Sequence, residues 1–359
     1  MSEEIMERFA PERLHRFIKG CMTSAGATER DATLVADVLN SADLRGKEAH
    51  GIARLKRYAD GIRTGEINPN PQRKLVVDLP GIAVMDGDNG LGQPASIDAM
   101  DLAIAKAKVT GIGAAAVRQS NHFGIAGYYA MRARDQNMIG ISVSNASPQV
   151  APTHGAEAIF GTNPLAIAVP TGGKTPFILD MSTSAVPRGK LERMDWGDKP
   201  MPTGWAIDPE GNDATDIKTL INGLKKHLGF ALLPLGGAGE LFGGHKGYSL
   251  GIVVDLLSGP LAGADWGKNT YGKKGANLGH FFIAMNVDAF VPGGEFPGRM
   301  EQLIDELHAT RKAKGAERIY VPGEKSNERE QQCRKEGIPL CEAVCKDLEK
   351  LSKAYGVEL

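Results

Sequence analysis

Cysteine is scarce in this chain, and the scarcity limits the sites it can carry. Four cysteines occur among 359 residues, at positions 21, 333, 341 and 345, and no two form a C-x-x-C pair. So few thiols exclude the disulfide framework of a small secreted protein. Cys341 and Cys345 would lie one helical turn apart, which leaves a metal pair open beside the simpler interpretation as reduced, buried thiols.

Long apolar runs are also missing. No stretch approaches the roughly 18 uninterrupted apolar residues that a membrane-spanning helix needs. The first residues, M-S-E-E-I-M-E-R-F, are acidic and lack the apolar region of a signal peptide. We therefore expect a cytoplasmic protein with no membrane partner.

The chain has no excess charge of either sign. Its 42 basic and 43 acidic residues give a net charge of -1. A general electrostatic attraction to nucleic acid or to an anionic membrane is therefore excluded. The expected partner is a small molecule.

Several common catalytic and nucleotide-binding patterns are absent. Neither G-x-S-x-G nor H-E-x-x-H occurs, and Lys246 is followed by glycine where a Walker A sequence needs serine or threonine. The pair Gly90 and Gly92 continues into Gln93 and Pro94, so it is not the dinucleotide-binding G-x-G-x-x-G. We therefore expect no metal, and any nucleotide site must be of another design than the Rossmann fold.

Apolar spacing predicts a helical beginning followed by an α/β region. A helix begins at Pro11, a second follows a capping pattern at Thr28 and Asp31, and N-P-N-P at 68–71 marks a boundary. Beyond it, short apolar runs alternate with helical stretches, which predicts a layered α/β sheet that is parallel at least in part. A long ordered loop is expected at 192–216 and a charged helical tail at 327–354.

The stretch 44–65 offers the first candidate chemistry. If residues 51–64 are helical, His50, Arg54 and Tyr58 form one stripe, because residues four apart share a helix face. Arginine can hold a carboxylate through two hydrogen bonds, and histidine can transfer a proton near neutral pH. The alternative is a basic, solvated helix face.

Two other stretches suggest ligand contacts. His122 follows a predicted strand that ends near Val117, and ligands of parallel sheets bind beyond the carboxyl ends of strands. A turn histidine without a catalytic role is the alternative. In G-G-H-K-G-Y at 243–248, His245 and Lys246 precede a predicted helix, whose free N–H groups together with the ammonium suit a phosphate.

Several segments together resemble one family. They are A-D-L-R-G-K-E-A-H-G-I-A-R-L, S-N-H-F-G-I-A-G-Y-Y-A, F-G-T-N-P-L-A-I-A-V-P, I-L-D-M-S-T-S-A-V-P-R-G-K, T-G-W-A-I-D-P-E-G, P-L-G-G with G-G-H-K-G-Y-S-L, and V-P-G-E. In this order they resemble the type-2 malate/L-lactate dehydrogenases. Relatives of that family include sulfolactate, ureidoglycolate and diketogulonate oxidoreductases and a cyclic-imine reductase.

The resemblance implies a fold and a reaction. It implies a homodimer in which a helical substrate and dimerisation unit, 1–72 with the C-terminal helix 326–359, packs on a non-Rossmann α/β dinucleotide-binding domain, 73–325. The implied reaction is hydride transfer between NAD, or NADP, and a small 2-hydroxy acid, with malate or L-lactate expected first. Ala49 departs from the family, where serine commonly stands beside the histidine.

The resemblance also implies roles for individual residues. His50 matches the proton-transferring histidine, Arg54 the carboxylate-binding arginine, and Tyr58 and His122 further active-site positions. Residues that match dinucleotide contacts are Ile178, Leu179, Asp180, Met181, Ser182, Thr183, Ser184, His245, Lys246, Pro322, Gly323 and Glu324. Malate would need a second cation for its far carboxylate, and Arg188 or Lys190 is a candidate.

Competing hypotheses remain open on the sequence alone. The nearest is a reductase of another 2-oxo acid or a cyclic imine in the same family. A ligand-binding protein that keeps the fold without turnover is a rival from another class, and a metal hydrolase is the most distant.

Overall fold

The chain was analysed in a computed structural model that describes residues 7–173, 176–196, 200–272 and 275–359. Its helices are α1 (Pro11–Ser24), α2 (Glu29–Leu44), α3 (Leu55–Arg63), α4 (Gly92–Thr110), α5 (Ala126–Arg134), α6 (Arg188–Trp196), α7 (Ile217–Lys226), α8 (Gly244–Ser258), α9 (Val287–Phe290), α10 (Phe296–Ala309), α11 (Glu324–Glu336) and α12 (Glu342–Tyr355). Its strands are β1 (Glu7–Phe9), β2 (Lys74–Asp78), β3 (Ile82–Gly90), β4 (Ile112–Ser120), β5 (Met138–Ser144), β6 (Leu165–Val169), β7 (Phe177–Met181), β8 (Ala206–Ile207), β9 (Ala231–Leu232), β10 (Tyr271–Gly272), β11 (Gly275–Ala276), β12 (Leu278–Asn286) and β13 (Ile338–Leu340).

The first two helices follow local sequence signals. Pro11 opens α1, where its missing N–H costs nothing, and Gly26 follows the end of the helix with a φ of 112°. At the start of α2 the Thr28 hydroxyl accepts a hydrogen bond from the Asp31 N–H at 3.1 Å. Both predicted helix starts are confirmed, since each supplies what a helix N-terminus needs.

The central sheet is mixed, and within the described residues it has seven strands in the order β2-β3-β4-β12-β5-β6-β7. Only β3 and β4 run parallel, with α4 as the crossover that such a pair requires. The late strand β12 inserts antiparallel between β4 and β5. The predicted α/β architecture is confirmed, whereas the parallel part is limited to one pair.

Helices cover both faces of the sheet. On one face α4 and α5 bury alanine-rich surfaces against the strands in a core that includes Phe282 and Tyr129. On the other face α8 packs on β5 and β12, and a short turn that contains Ala262 packs on Ala116. Small alanine side chains let helix and sheet backbones approach closely, which keeps the strand ends in fixed positions.

A second core joins the two ends of the chain. Residues of α1, α2 and α3 pack against Ile338, Leu340, Leu348 and Leu351 near the C-terminus. The prediction of one helical tail at 327–354 is wrong. Gly337 adopts a φ of 89° and interrupts the helix, and β13 then pairs antiparallel with β1. A left-handed glycine ends the helix, and the following three buried residues pair as a strand.

Two other sequence predictions need correction. The expected helix at 51–64 begins only at Leu55, after two short 3-10 turns at Glu48–His50 and Ile52–Arg54. The expected loop at 192–216 is helical up to Trp196 and contains β8, which pairs with β9. Its residues 197–199 lie outside the described part of the chain.

Candidate active site

One cavity lies where the helical N-terminal region meets the sheet. Its volume is about 220 Å³, and four short segments line it, at 46–50, 122–126, 144–146 and 180–182, with Thr162, Pro164, Pro187, Gly189 and Lys190. His50 and His122 both line this cavity. The position of His122 two residues after β4 agrees with the expectation that it follows a strand end.

Two imidazoles and a phenol meet in the wall of this cavity. The rings of His50 and His122 are stacked with centroids 5.7 Å apart and an angle of 19°. The Tyr58 hydroxyl is 2.6 Å from His122 Nδ1, and the Gly124 N–H donates to the same nitrogen at 3.3 Å. Because Nδ1 accepts, the proton of neutral His122 lies on Nε2.

The turn that carries His50 is fixed by a buried carboxyl group. Asp43 Oδ2 accepts a hydrogen bond from the Ile52 N–H at 2.7 Å, and a Cβ added to Gly51 would lie 1.8 Å from Asp43 Oδ1. Burial raises the Asp43 pKa well above its usual value, although the Ile52 hydrogen bond opposes this. Glycine is therefore required at 51 by close approach, and it separates His50 from the helix whose face it was predicted to share.

Burial and positive charge both act on His50. Burial is the main cause that lowers the His50 pKa to about 4, and the nearby charges of Arg54, Lys47, Arg188 and Arg57 contribute in the same direction. Burial is also the main cause of the lowered His122 pKa, followed by Arg57. Both imidazoles are therefore neutral at pH 7 and able to accept a proton.

Arg54 lies beside this group but in the wall of a neighbouring cavity. That cavity has a volume of about 470 Å³ and shares Glu48, Ala49 and Gly189 with the first. Arg54 Nε donates to the Ala49 carbonyl at 2.6 Å, which leaves its two terminal nitrogens for another partner. The partition is thin, because a Cβ on Gly189 would lie 2.2 Å from Ala49 Cβ.

The predicted dinucleotide contacts fall into separate groups. Asp180, Met181 and Ser182 line the cavity with the imidazoles, and Leu179 precedes them in β7. Ile178, Thr183 and Ser184 are buried, so their side chains support the backbone rather than face a cavity.

His245 and Lys246 lie in the first turn of α8, which begins earlier than predicted, and line a cavity of about 630 Å³. A hydrogen bond connects this region with the end of β7, because the Leu235 N–H donates to the Thr183 carbonyl at 2.9 Å. Leu235 also lines the α8 cavity. The two cavities therefore lie on either side of one hydrogen-bonded junction.

The third group of predicted dinucleotide contacts, Pro322, Gly323 and Glu324, packs against other residues of the protein. The Ile178 N–H donates to the Pro322 carbonyl at 2.9 Å, and Gly323 adopts a φ of 101° against Ile178. The Glu324 carboxylate accepts from the Val321 N–H and pairs with His308 and Arg318, both at 3.0 Å. Burial favours the neutral acid, yet these partners outweigh it and hold the Glu324 pKa below its usual value.

The geometry fits an elongated ligand with a phosphate-rich middle. His245 Nδ1 is buried without a hydrogen-bond partner among the described residues, and the Lys246 side chain is exposed beside it. A helix N-terminus with a free ring nitrogen and an ammonium suits a pyrophosphate. Asp180 and Ser182 offer polar groups at the far side of the junction, so the residues present fit a dinucleotide.

Sequence analysis missed His280, which lies beneath the site. Its ring is fully buried on β12, 2.8 Å from Ser144 Oγ and 3.0 Å from Ser120 Oγ, and it stacks on Phe123 at 4.6 Å. Ser120 and Phe123 flank the segment that carries His122. Nothing in the local sequence marks this residue, because its partners come from two other strands and a loop.

We expect His280 to make the stability of the protein depend on pH. Burial lowers its pKa to about 3, whereas the unfolded chain takes up the proton near 6.5. Stability from this residue is therefore fully present above pH 6.5 and is lost as the pH falls below it, at about 1.4 kcal/mol per pH unit. Urea denaturation of the wild type and of His280→Asn at one protein concentration, from pH 6.5 to 5, measures the difference in slope. Equal slopes would contradict the prediction.

The helices of the described residues are too short or too polar for any of them to cross a membrane. Nor do three or more histidine, cysteine, aspartate or glutamate side chains converge there in a way that could hold a metal ion.

Comparisons with known proteins agree with this geometry. The sequence model of the family "malate/L-lactate dehydrogenase" matches residues 9–349. The malate dehydrogenase of Pyrococcus horikoshii is 49% identical over 354 residues, which cover 98% of this chain and 96% of that protein. The L-sulfolactate dehydrogenase of Methanocaldococcus jannaschii is 38% identical, with 97% of each chain covered.

Solved structures support the same assignment. The crystal structure of malate dehydrogenase from Entamoeba histolytica superposes with a TM-score of 0.95 at 38% identity, and 99% of each chain is covered. The family predicted from the sequence is confirmed, and its reaction type implies a nicotinamide cofactor. The chain belongs to the malate/L-lactate dehydrogenase family and is a dehydrogenase.

Proposed function

We propose that the protein catalyses the reversible oxidation of malate to oxaloacetate with NAD as cofactor. The observation that carries this proposal is the positive charge near His50. Lys47 lines the same cavity, and Arg54 donates to the carbonyl of the adjacent Ala49. The charges of Arg188 and Arg57 also lower the His50 pKa. A dianionic substrate would be stabilised by so much positive charge, whereas lactate carries one carboxylate only. A relative 49% identical to this chain is named malate dehydrogenase, which supports the same substrate.

The two arginines would hold the two carboxylates. The free terminal nitrogens of Arg54 can bind the C1 carboxylate in a bidentate way, because its Nε is already bonded to Ala49. Arg188 Nε is buried and makes no hydrogen bond to the described residues, so it offers a donor to the second carboxylate. Substrate would then replace water around both guanidinium groups and be fixed in one orientation.

The imidazole pair would move the proton. With a pKa near 4, His50 is neutral at pH 7 and can take the proton of the C2 hydroxyl. His122 would donate its Nε2–H in a hydrogen bond that orients the substrate oxygen, while Tyr58 and the Gly124 N–H hold its other nitrogen. When bound, the nicotinamide supplies hydride transfer to or from the substrate C2. In the reverse reaction, the negative charges of the bound dicarboxylate would raise the His50 pKa. This favours the protonated imidazole, which would donate its proton to the forming hydroxyl group.

The cofactor would be held by three groups of residues. Asp180, Met181 and Ser182 would lie along the nicotinamide half, and His245 with Lys246 would bind phosphate. The remaining predicted positions, among them Ile178, Pro322 and Glu324, would act by fixing β7. NADP remains the alternative cofactor, because its extra phosphate needs only one more cation near α8.

Two further features belong to the proposal. Large apolar side chains at the start and along one side of α8 are exposed, namely Leu241, Phe242, Val253 and Leu256. Such exposure favours a homodimer in which a second copy covers α8. Its interface would extend from the substrate and dimerisation unit, 1–72 with 326–359, to α8 in the cofactor domain, 73–325. We place this homodimer in the cytosol. Sedimentation velocity tests the dimer, and a monomer at micromolar concentration would refute it.

A substrate panel tests the reaction. We expect malate to be oxidised with a higher kcat/KM than lactate, sulfolactate or ureidoglycolate. The absorbance of the reduced nicotinamide measures each reaction, with NAD and with NADP. The alternative in the same family is a reductase of another 2-oxo acid or a cyclic imine, and it is favoured by relatives named L-sulfolactate and ureidoglycolate dehydrogenase. A preference for one of those acids would replace malate in the proposal.

Replacing Arg188 with methionine should affect malate selectively. The expected result is a KM for malate raised about tenfold to a hundredfold, since one hydrogen bond to a charged group contributes roughly 1.5 to 3 kcal/mol. The KM for lactate and the affinity for the cofactor should stay within twofold. Lys190→Met is the matched control, because that ammonium lies over the Trp205 ring at 4.8 Å. A malate-specific loss in the control instead would move the role to Lys190.

A further inference from the structure

Glu192 lines the same cavity as Arg54 and forms ion pairs with three cations of the described residues. It lies on α6, four residues after Arg188, and its side chain is mostly buried with an exposed fraction of 19%. Its carboxylate oxygens are 3.9 Å from Arg54 Nη2, 3.4 Å from Arg188 Nε and 3.8 Å from Lys225 Nζ. One carboxylate therefore joins both arginines that are proposed to hold the substrate.

The distances separate charge compensation from hydrogen bonding. A charge-assisted hydrogen bond between nitrogen and oxygen is typically about 2.7 to 2.9 Å long. Both arginine contacts of Glu192 are longer than this, and Arg188 Nε makes no hydrogen bond to the described residues. The carboxylate attracts both guanidinium groups without occupying their donors, so these remain available for an incoming anion.

The arginines need this compensation. Burial lowers the Arg188 pKa, Glu192 opposes that shift, and the positive charges of Arg54 and Arg57 add to the lowering. Two guanidinium groups that share a partly buried wall repel each other. Without the carboxylate, the energetically favoured response is for one or both side chains to turn away toward water.

We propose that Glu192 is a positioning residue that holds Arg54 and Arg188 in register for the two carboxylates of a dianionic substrate. The inference rests on the proposed function, and it concerns which residue orients the anion clamps rather than which residue reacts. Glu192 is placed to act through the arginines, because among the described residues its carboxylate forms ion pairs with Arg54, Arg188 and Lys225. Its effect should therefore appear in substrate binding and in the choice between dianion and monoanion.

Glu192→Gln tests the proposal, because it keeps the shape of the side chain and removes the charge. With the best dianionic substrate of the panel, we expect KM to rise about tenfold, while kcat and the cofactor KM stay within twofold. The KM for lactate should rise less, because lactate needs only one of the two clamps. An unchanged or lower KM for the dianion would overturn the proposal.

A double-mutant cycle shows whether Glu192 acts through Arg188. If it does, the two substitutions should not act independently. The KM of the double variant for the dianion should be well below the value expected when the two single effects are multiplied, and close to the KM of Arg188→Met alone. Fully multiplicative effects would assign the carboxylate a separate structural role and overturn the inference. Glu192→Asp keeps the charge and should recover part of the lost affinity.

Two matched variants control for general disturbance of this wall. Asp195 lies on the same helix and lines the same cavity, and Lys225 pairs with the same carboxylate but is 55% exposed. Asp195→Asn and Lys225→Gln should leave the dianion KM within twofold. A tenfold rise in either control would overturn the specific role of Glu192. Failure of the proposed function would be visible in the wild type, as absence of turnover with every dianion, whereas failure of this inference is visible only in the variants.

Discussion

Replacement of His50 with alanine is expected to lower kcat for malate oxidation about a thousandfold, because a positioned general base typically contributes about 10²- to 10⁴-fold. The imidazole lines the cavity with Asp180 and Ser182 and is stacked on His122, whose own proton lies on Nε2. Steady-state kinetics measures kcat, and titration of the cofactor's fluorescence should give an affinity within twofold of the wild type.

The pH profile provides a second measure of the same prediction. Because the His50 pKa is lowered to about 4, kcat/KM for oxidation should stay level from pH 8 to about 5.5 and fall only as the pH approaches 4. Protonated His50 cannot accept the hydroxyl proton, which sets the sign. His154→Ala is the control, because that imidazole is 70% exposed and does not line the cavity that holds His50. Unchanged turnover in His50→Ala would transfer the role of base to His122, which lines the same cavity and would act after a change of tautomer.

Local signals predicted the parts of the fold that depend on neighbouring residues in the sequence. Pro11 and Thr28 each satisfy a helix N-terminus within three residues, and the strands after the boundary at 68–71 carry their own apolar patterns. The position of β12 between β4 and β5 is of another kind. Its partners lie more than 130 residues earlier, so no local spacing could have indicated that they pair.

The two mistaken helices share a cause. In 51–64 and in 327–354 the apolar spacing suits a helix, but a glycine lies where the tertiary structure needs a break. Gly51 leaves room for the Asp43 carboxyl group, and Gly337 turns the chain so that β13 can pair with β1. Both requirements come from distant residues, and a glycine inside a helical pattern was the only trace of them in the sequence.

The site was predicted in part for the same reason. His50, Tyr58 and His122 do meet, although the predicted helical stripe is not what brings them together. The 3-10 turns deliver His50, and Tyr58 reaches His122 rather than open space, since it is only 1% exposed. His280 contacts side chains from other elements, and Glu192 reaches Arg54 and Lys225 outside its own helix. A single sequence has no pattern for such contacts.

Replacement of Arg54 with lysine is expected to lower kcat/KM about a hundredfold or more for malate and lactate alike. Both acids carry a C1 carboxylate, and lysine cannot reproduce the two parallel hydrogen bonds of a guanidinium group. The substitution also removes the 2.6 Å bond from Arg54 Nε to the Ala49 carbonyl, which steadies the turn that carries His50. Most of the loss should therefore appear in KM, with a smaller fall in kcat.

The comparison with Arg188→Met separates the two clamps. If Arg54 binds the carboxylate next to the reacting carbon, its replacement affects every 2-hydroxy acid, whereas loss of Arg188 affects only those with a second anionic group. Arg63→Lys, at the end of the helix that follows Arg54, is the matched control, because that side chain is 67% exposed and pairs with Asp60. Should Arg54→Lys weaken malate but spare lactate, the assignment would reverse. Arg54, which lines the outer cavity beyond the Ala49 and Gly189 partition, would then hold the far carboxylate, and the one beside His50 would fall to Arg188.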